Sequence, residues 1–464
     1  MQTYDLIVIG SGAGMNVAAN AAGAGMRTAV VEHGPLGGTC LNNGCIPTKV
    51  LLYPADVIRA LDDAAAIGVY GSAPRVDFGL IMRRMRAYVD EGREEMERAL
   101  ARSDNPKAYR GTGEFTGDYT MRVGEETLTA PKIVIASGAR TLVPPVAGLR
   151  ETGYLDNVSV LNLKEPPKSL IILGGGYIAC EYGHFFSAIG TKVTIIGRNP
   201  RLLKEEEPEI SDIVLRRFSR HADIRANHEA VQVSKKGHKK AVFARDRTGG
   251  KVHAFTADEI LLAVGRQSNA DLLKPEKTGV QTDENGWVIV NEYMETSKPN
   301  IWALGDATGR HMFRHTANYE SNIVWHNLSG EQKHRADFHA VPHAVFGYPQ
   351  VAGVGMTEAE AKAAGRKILV GRALYTDVTK GYAMGEDDSL VKVIVEQGTD
   401  KVLGCHIVGS DAAILVQPVV YIMNAGDQSY SPLADSQVIH PALSEAVIRA
   451  FARLAPPEHE HKHP

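Results

Sequence analysis

Gly37-Gly38-Thr39-Cys40-Leu41-Asn42-Asn43-Gly44-Cys45-Ile46-Pro47-Thr48-Lys49 sets two cysteines, with four residues between them, at the mouth of an expected helix. Pro47 has no N–H to lose and a preset φ, which suits the first turn of a helix running on into Val50, Leu51 and Leu52. Cys45 then sits at a helix N-terminus. Free amide donors and the positive end of the helix dipole favour a thiolate there and make the sulfur reactive. Gly37, Gly38 and Gly44 let the backbone turn tightly and let a flat cofactor come close. A structural cystine is the alternative, but closing so short a ring constrains the unfolded chain by only about 2 kcal/mol. A chain of 464 residues gains little from that, and we read the stretch as a redox-active disulfide.

Working outward, the residues on either side have the pattern of nucleotide sites. Leu6-Ile7-Val8-Ile9 reads as a buried parallel strand, and Gly10-Ser11-Gly12-Ala13-Gly14 turns from it into a helix starting near Met15. Such a turn lets helix N–H groups face a pyrophosphate at short range. The next strand, Thr28 to Val31, ends at Glu32, where an acidic residue is expected to hold a ribose hydroxyl. Met15 is a flaw, because the sixth place of the fingerprint normally carries Gly or Ala. Downstream, Ser169 to Leu173 leads into Gly174-Gly175-Gly176-Tyr177-Ile178-Ala179, in which Gly174, Gly176 and Ala179 match the fingerprint. Two such units imply two dinucleotides. The strand Lys192 to Ile196 ends without the acid of an NAD site and reads Gly197-Arg198-Asn199-Pro200-Arg201, then Lys204, cations suited to the 2′-phosphate of NADP.

Taken in order, these motifs resemble the flavin-dependent pyridine nucleotide disulfide oxidoreductases, over residues 3 to about 454. That family includes dihydrolipoamide dehydrogenase and the glutathione, mycothione and mercuric reductases. Asn43 departs from the Val more often found there. The resemblance implies FAD in the first site, next to Gly10, Gly12, Gly14, Glu32, Gly38 and Thr39. It also implies a segment that leaves the FAD domain through Ser137 and Gly138, a contribution from Gly265, and an acidic residue at the ribityl chain, Asp306. In the second site Tyr177 matches the residue that covers the nicotinamide pocket, and Arg198 and Lys204 match the paired cations of NADPH-dependent members. NADH remains possible. Glu181 matches the acid that pairs with Lys49 beside the flavin. Cys45 would be the thiolate nearer the flavin and Cys40 the sulfur that attacks substrate.

His440 is the other residue on which function turns. Imidazole suits proton transfer near neutral pH, and Glu445 is spaced to hold its second nitrogen. By resemblance they are the family's base and orienting acid, given across a homodimer into the partner's site.

The fold expected is α/β, with two Rossmann-like dinucleotide domains and a C-terminal α+β dimerisation domain. The expected division is 1–150 and 271–340 for the FAD domain, 151–270 for the NAD(P)H domain, 341–455 for dimerisation, and a disordered His-rich tail over 456–464. Ile368 to Tyr375, Leu390 to Glu396 and Val402 to Val408 read as antiparallel strands. Asp411 to Ala425 reads as one helix, and Gln437 to Glu445 as the opening of another. Cys180 and Cys405 read as buried free thiols, and no metal site is expected.

A formal net charge of -3 gives no electrostatic reason to expect nucleic acid or an anionic membrane as partner. No apolar run reaches the roughly 20 residues that span a bilayer, and cytoplasmic location is the expectation. The activity expected is NADPH-driven reduction of a low-molecular-weight disulfide, of the mycothione reductase type. NAD-linked dihydrolipoamide oxidation is the alternative within the family. Metal-ion reduction is disfavoured, because no cysteine pair follows Cys405 and His440 is present. A structural subunit of an acyl-transferring complex is the reading from another class.

Overall fold

The computed structural model describes residues 1–72, 74–330 and 332–457. The first apolar run, Leu6–Ile9, is buried along its whole length. It pairs in parallel with Thr28–Glu32 on one side and Lys132–Ile135 on the other. Continuous apolar strands are what a parallel sheet covered on both faces requires. Lys107–Arg110 and Ile301–Ala303 complete the two edges of this five-stranded sheet. Ile301 lies opposite Ile133, so the chain leaves the first layer after residue 135 and returns to it at residue 301.

The excursion holds the second nucleotide sheet. Its order is Asp223–Arg225, Lys192–Ile196, Ser169–Leu173, Glu259–Leu262, all parallel. An antiparallel sheet of His228–Lys236, Lys239–Asp246 and Val252–Ala257 is inserted before its last strand.

The C-terminal third is a five-stranded antiparallel sheet. Ile368–Leu374, Leu390–Glu396 and Val402–Val408 lie where the apolar pattern puts strands, one residue short at Tyr375, which opens a tight turn. Pro342–Val345 and Val351–Gly355 join them. The helix expected over 411–425 is two short ones, Ala412–Leu415 and Gln417–Met423. Pro418 explains the break, since proline has no N–H for a continuous helix and is tolerated in a first turn. The final helix, Ser444–Phe451, starts later than the 437–445 reading implies. His440 and Pro441 therefore lie in the loop ahead of it. No described helix is long and apolar enough to cross a membrane. Of the expected tail, residues 458–464 lie outside the described residues.

Candidate functional site

A cavity of about 990 Å³ runs from the first glycine turn to the two cysteines. Its volume is at the upper end for small-molecule sites. The turn is shaped by contacts that exclude side chains. Gly10 has φ +103°, and a Cβ there would lie 2.2 Å from the Ala136 carbonyl oxygen. A Cβ on Gly14 would add to its own helix a contact of 2.8 Å with Ala136 and 2.9 Å with Val8. Gly14 thus takes the close helix-to-strand approach, which is why Met15 is tolerated in the sixth place. Gly12 faces Gly38 so closely that a Cβ on Gly38 would sit 2.8 Å from the Gly12 Cα. This approach fixes the cysteine segment against the glycine turn.

Glu32 lines the cavity and also braces its wall. Its Oε2 accepts from Ser11 N at 2.9 Å and Ser11 Oγ at 2.8 Å, and its Oε1 from Gly34 N at 2.8 Å. Thr39, Ser137, Gly138 and Asp306 line the same cavity. Burial raises the Asp306 pKa, opposed by Arg266, whose Nε is 3.4 Å from the carboxylate. Among the described residues, five buried polar atoms of cavity residues have no hydrogen-bond partner: Asn42 Oδ1, Ser137 Oγ, Tyr182 Oη, Arg266 Nε and Thr316 Oγ1. Such atoms are rare in a finished core. A glycine cradle at one end and orphaned polar atoms along the wall fit a bound dinucleotide such as FAD. Arg266 and Thr316 go unread in the sequence as site residues. Arg266 directly follows Gly265, whose φ of +130° and carbonyl bond from Leu142 N at 3.0 Å hold it in place.

The cysteines stand on two helices rather than one. Cys40 lies in Gly38–Asn43, and Cys45 opens Cys45–Asp63, with Gly44 between them. Both are free thiols, Cys40 half-buried and Cys45 exposed. They are unequal in acidity. A hydrogen bond from Cys40 brings the Cys45 pKa down to about 7, with Lys49 assisting against the effect of burial. The same bond, and then burial, push the Cys40 thiol well above its ordinary range. Lys49 is one helical turn beyond Cys45 and donates to both oxygens of Glu181 at 2.8 Å. Phe346 completes this pair, its N–H donating to Glu181 Oε1 at 3.1 Å and its ring centroid 4.7 Å from the Lys49 ammonium. Tyr177, partly exposed, lies across the cavity wall with its ring 6.3 Å from that of Phe313, and burial raises its phenol to about 12.

The remaining expected residues lie apart from the cavity. Gly174 has φ +127° and leaves no room for a Cβ, which would meet the Ala263 carbonyl oxygen at 2.1 Å. Gly176 has open space, and Ala179 is fully buried. Arg198 and Lys204 are exposed, and Lys204 pairs with Glu205 at 2.7 Å. His440 Nδ1 donates to Glu445 Oε1 at 2.8 Å, while Glu445 Oε2 accepts from Ala442 N at 2.9 Å. The imidazole is 70% exposed and does not line the cavity of its own chain. Cys180 and Cys405 are buried, with thiols raised by burial, Cys405 to about 12. The one acidic triad among the described residues, Glu207, Glu209 and Glu358, encloses the Lys392 ammonium at 2.8, 2.7 and 2.8 Å, which leaves no role for a metal.

Two free thiols, one of them opening a helix, at the end of a nucleotide-sized cavity suit a dithiol–disulfide oxidoreductase supplied by dinucleotides. Residues 4–321 match the family model described as pyridine nucleotide-disulphide oxidoreductase, and 341–451 match its dimerisation domain. The chain is 36% identical to mycothione reductase of Mycobacterium tuberculosis, over 98% of this chain and 100% of that one. It is 32% identical to dihydrolipoyl dehydrogenase of Bacillus subtilis, over 96% of each. The solved structure of a Cu(II) complex of the HOCl-induced flavoprotein disulfide reductase RclA from Escherichia coli superposes with TM-score 0.87 at 32% identity, covering 97% of this chain and 99% of that one. The chain belongs to the pyridine nucleotide-disulphide oxidoreductase family and is a flavoprotein disulfide reductase using FAD and a nicotinamide nucleotide.

Proposed function

We propose that this enzyme passes electrons from NADPH to a low-molecular-weight disulfide, of the mycothione reductase type, and that it works as a homodimer. The observation that carries the reading is the pair of free thiols, Cys40 and Cys45, lining one end of the cavity with Lys49 one helical turn beyond Cys45, an arrangement that favours the thiolate on Cys45 and the proton on Cys40. Exposed Arg198, in place of the acid of an NAD site, supports NADPH.

When bound, FAD supplies the link between hydride transfer from the nicotinamide and two-electron reduction of a disulfide. The residues of the chain manage the sulfur and the protons. Cys40 loses its proton to His440 of the partner subunit and attacks one sulfur of the substrate, forming a mixed disulfide and expelling the first thiolate. The partner subunit's His440 returns the proton to that thiolate. The Cys45 thiolate then attacks Cys40, releasing the second half of the substrate and closing the Cys40–Cys45 disulfide. Glu445 fixes the imidazole through Nδ1, which leaves Nε2 for this exchange. The exposure of His440, away from its own cavity, supports transfer between subunits.

A second reading, NAD-linked oxidation of dihydrolipoamide, is favoured by the Lys204–Glu205 pair, which occupies one of the two expected cations. An exposed pair of that kind is worth at most about 1 kcal/mol, and it does not close the site to a phosphate.

The test is anaerobic stopped-flow reduction by NADPH and by NADH, followed by turnover with mycothione, glutathione disulfide and lipoamide. Fast reduction by NADPH with turnover of a small thiol disulfide is expected. Fast reduction by NADH with lipoamide turnover replaces this reading with the second. His440→Ala should lower disulfide turnover by roughly 100-fold or more while leaving flavin reduction by the nucleotide intact.

A further inference from the structure

The carboxyl end of Lys192–Ile196 is closed by a stretch remote in sequence. Gly197 N donates to Arg225 O at 3.0 Å, His228 N to Gly197 O at 2.9 Å, and Asn227 N to Asn199 O at 2.8 Å. Arg247, in the turn between Lys239–Asp246 and Val252–Ala257, joins this lattice twice. Its N–H donates to Asn227 O at 2.9 Å, and its guanidinium NH1 donates to the carbonyl oxygen of Arg198 at 2.7 Å.

The charges left over are of one sign. Asp246 is occupied by the Thr248 N–H at 2.9 Å, and Asp223 pairs with Arg225 at 2.9 Å. Neighbouring Arg201 is matched by Asp212 at 2.6 Å. Among the described residues, Arg198 and Arg247 alone in this group have no carboxylate within 4 Å. Both are exposed. The Arg247 guanidinium thus lies against the backbone of Arg198, and two cations without carboxylate partners at one strand end favour an anion there. A guanidinium has five N–H donors in a fixed fork, so Arg247 can keep its bond to the Arg198 carbonyl and still grip a phosphate.

We propose that Arg247 is a specificity-determining residue of the nucleotide site, closing with Arg198 on a ribose 2′-phosphate. Arg247 anchors the Arg198 backbone and offers its remaining donors to the same phosphomonoester. The inference rests on the NADPH reading above, and its ligand is an adenosine carrying a 2′-phosphate.

The experiment measures KM and kcat for NADPH and NADH, and calorimetric binding of 2′,5′-ADP and of 5′-ADP, in the wild-type holoenzyme, Arg198→Ala, Arg247→Ala and Arg247→Lys. Loss of one charge-assisted contact should raise the NADPH KM and the 2′,5′-ADP Kd of Arg247→Ala by roughly tenfold or more. Its kcat with NADPH and its 5′-ADP affinity should stay within about twofold of wild type, and Arg247→Lys should recover part of the loss. Unchanged 2′,5′-ADP affinity in Arg247→Ala overturns the inference. So does an equal loss for both nucleotides, which would mark Arg247 as a structural anchor only. If wild-type protein binds 2′,5′-ADP no better than 5′-ADP, the NADPH reading itself fails, and the inference with it.

Discussion

Lys49 and Lys392 are two lysines held by glutamates, and they show how burial and partner number separate a working charge from a structural one. Lys392 is 3% exposed and enclosed by three carboxylates. Burial opposes its charge, but Glu207, Glu209 and Glu358 prevail and raise its pKa. Lys49 is 35% exposed, shares one carboxylate, and faces the cavity that holds Cys45. Lys392 spends its field on the three acids that enclose it, holding Glu209 and Glu358 ionised. Lys49 is only partly neutralised and contributes to the ionisation of a thiol.

The largest effect should come from breaking the enclosed lysine. Lys392→Met leaves three glutamates facing one another between the nucleotide domain and the C-terminal sheet, and removing one partner of a buried ionic group costs about 3–5 kcal/mol. Wild-type Glu358 has a pKa of about 2, held there by Lys362 and Lys392 against burial. Its contribution is therefore present above pH 4.5 and lost as pH falls toward 2. In the variant the carboxylates repel, so the loss in urea unfolding should be greatest at neutral pH and shrink toward pH 5. A variant as stable as wild type at pH 7 would show that the enclosure carries no net charge energy.

Glu320 extends the comparison to a buried carboxyl with no cation in direct contact among the described residues. It is fully buried, its Oε2 accepting from Gly305 N at 2.5 Å and its Oε1 unpartnered. Burial raises its pKa to about 7, against the opposing Gly305 N–H and Arg310. A carboxyl raised in the folded state stabilises fully below its unfolded pKa near 4.5 and loses that contribution as pH rises to about 7. The shift corresponds to about 3 kcal/mol. Glu320→Gln keeps an acceptor for Gly305 and removes the titration. Its stability relative to wild type should improve between pH 5 and 8, and parallel unfolding curves across that range would remove Glu320 from the account.

These three groups also mark what can be read in the sequence. The strands Leu6–Ile9 and Ser169–Leu173, the glycine turns and the helix opening at Cys45 are legible because their causes are local: apolar runs, positive φ and a proline in a first turn. The misread helix has a local cause too, since Pro418 divides the stretch expected over 411–425. The partnership of Lys49 with Glu181 is legible only through family resemblance, as 132 positions separate them. Lys392, Glu320 and Arg247 are silent in the sequence, because each takes its meaning from groups that folding alone brings near. Lys392 and Glu207 are 185 positions apart.

A smaller effect on stability than that of Lys392, and the most informative on chemistry, belongs to Lys49. Lys49→Met strands the buried Glu181 carboxylate, 6% exposed, with only the Phe346 N–H, so it should destabilise the fold, but by less than Lys392→Met, which strands three. Thiol ionisation should respond as well. Because the Cys40 hydrogen bond outweighs Lys49 in lowering the Cys45 pKa, Cys40→Ala should raise that pKa more than Lys49→Met does. Glu181 opposes the thiolate, so Glu181→Gln should shift it the other way, downward from about 7. The pH dependence of iodoacetamide alkylation in the dithiol enzyme reads all three. Opposite shifts for Lys49→Met and Glu181→Gln mean that the pair acts on Cys45 through its charges. Shifts in the same upward direction would mean that Glu181 serves to aim Lys49, and that the geometry of the pair, rather than its net field, sets the thiol.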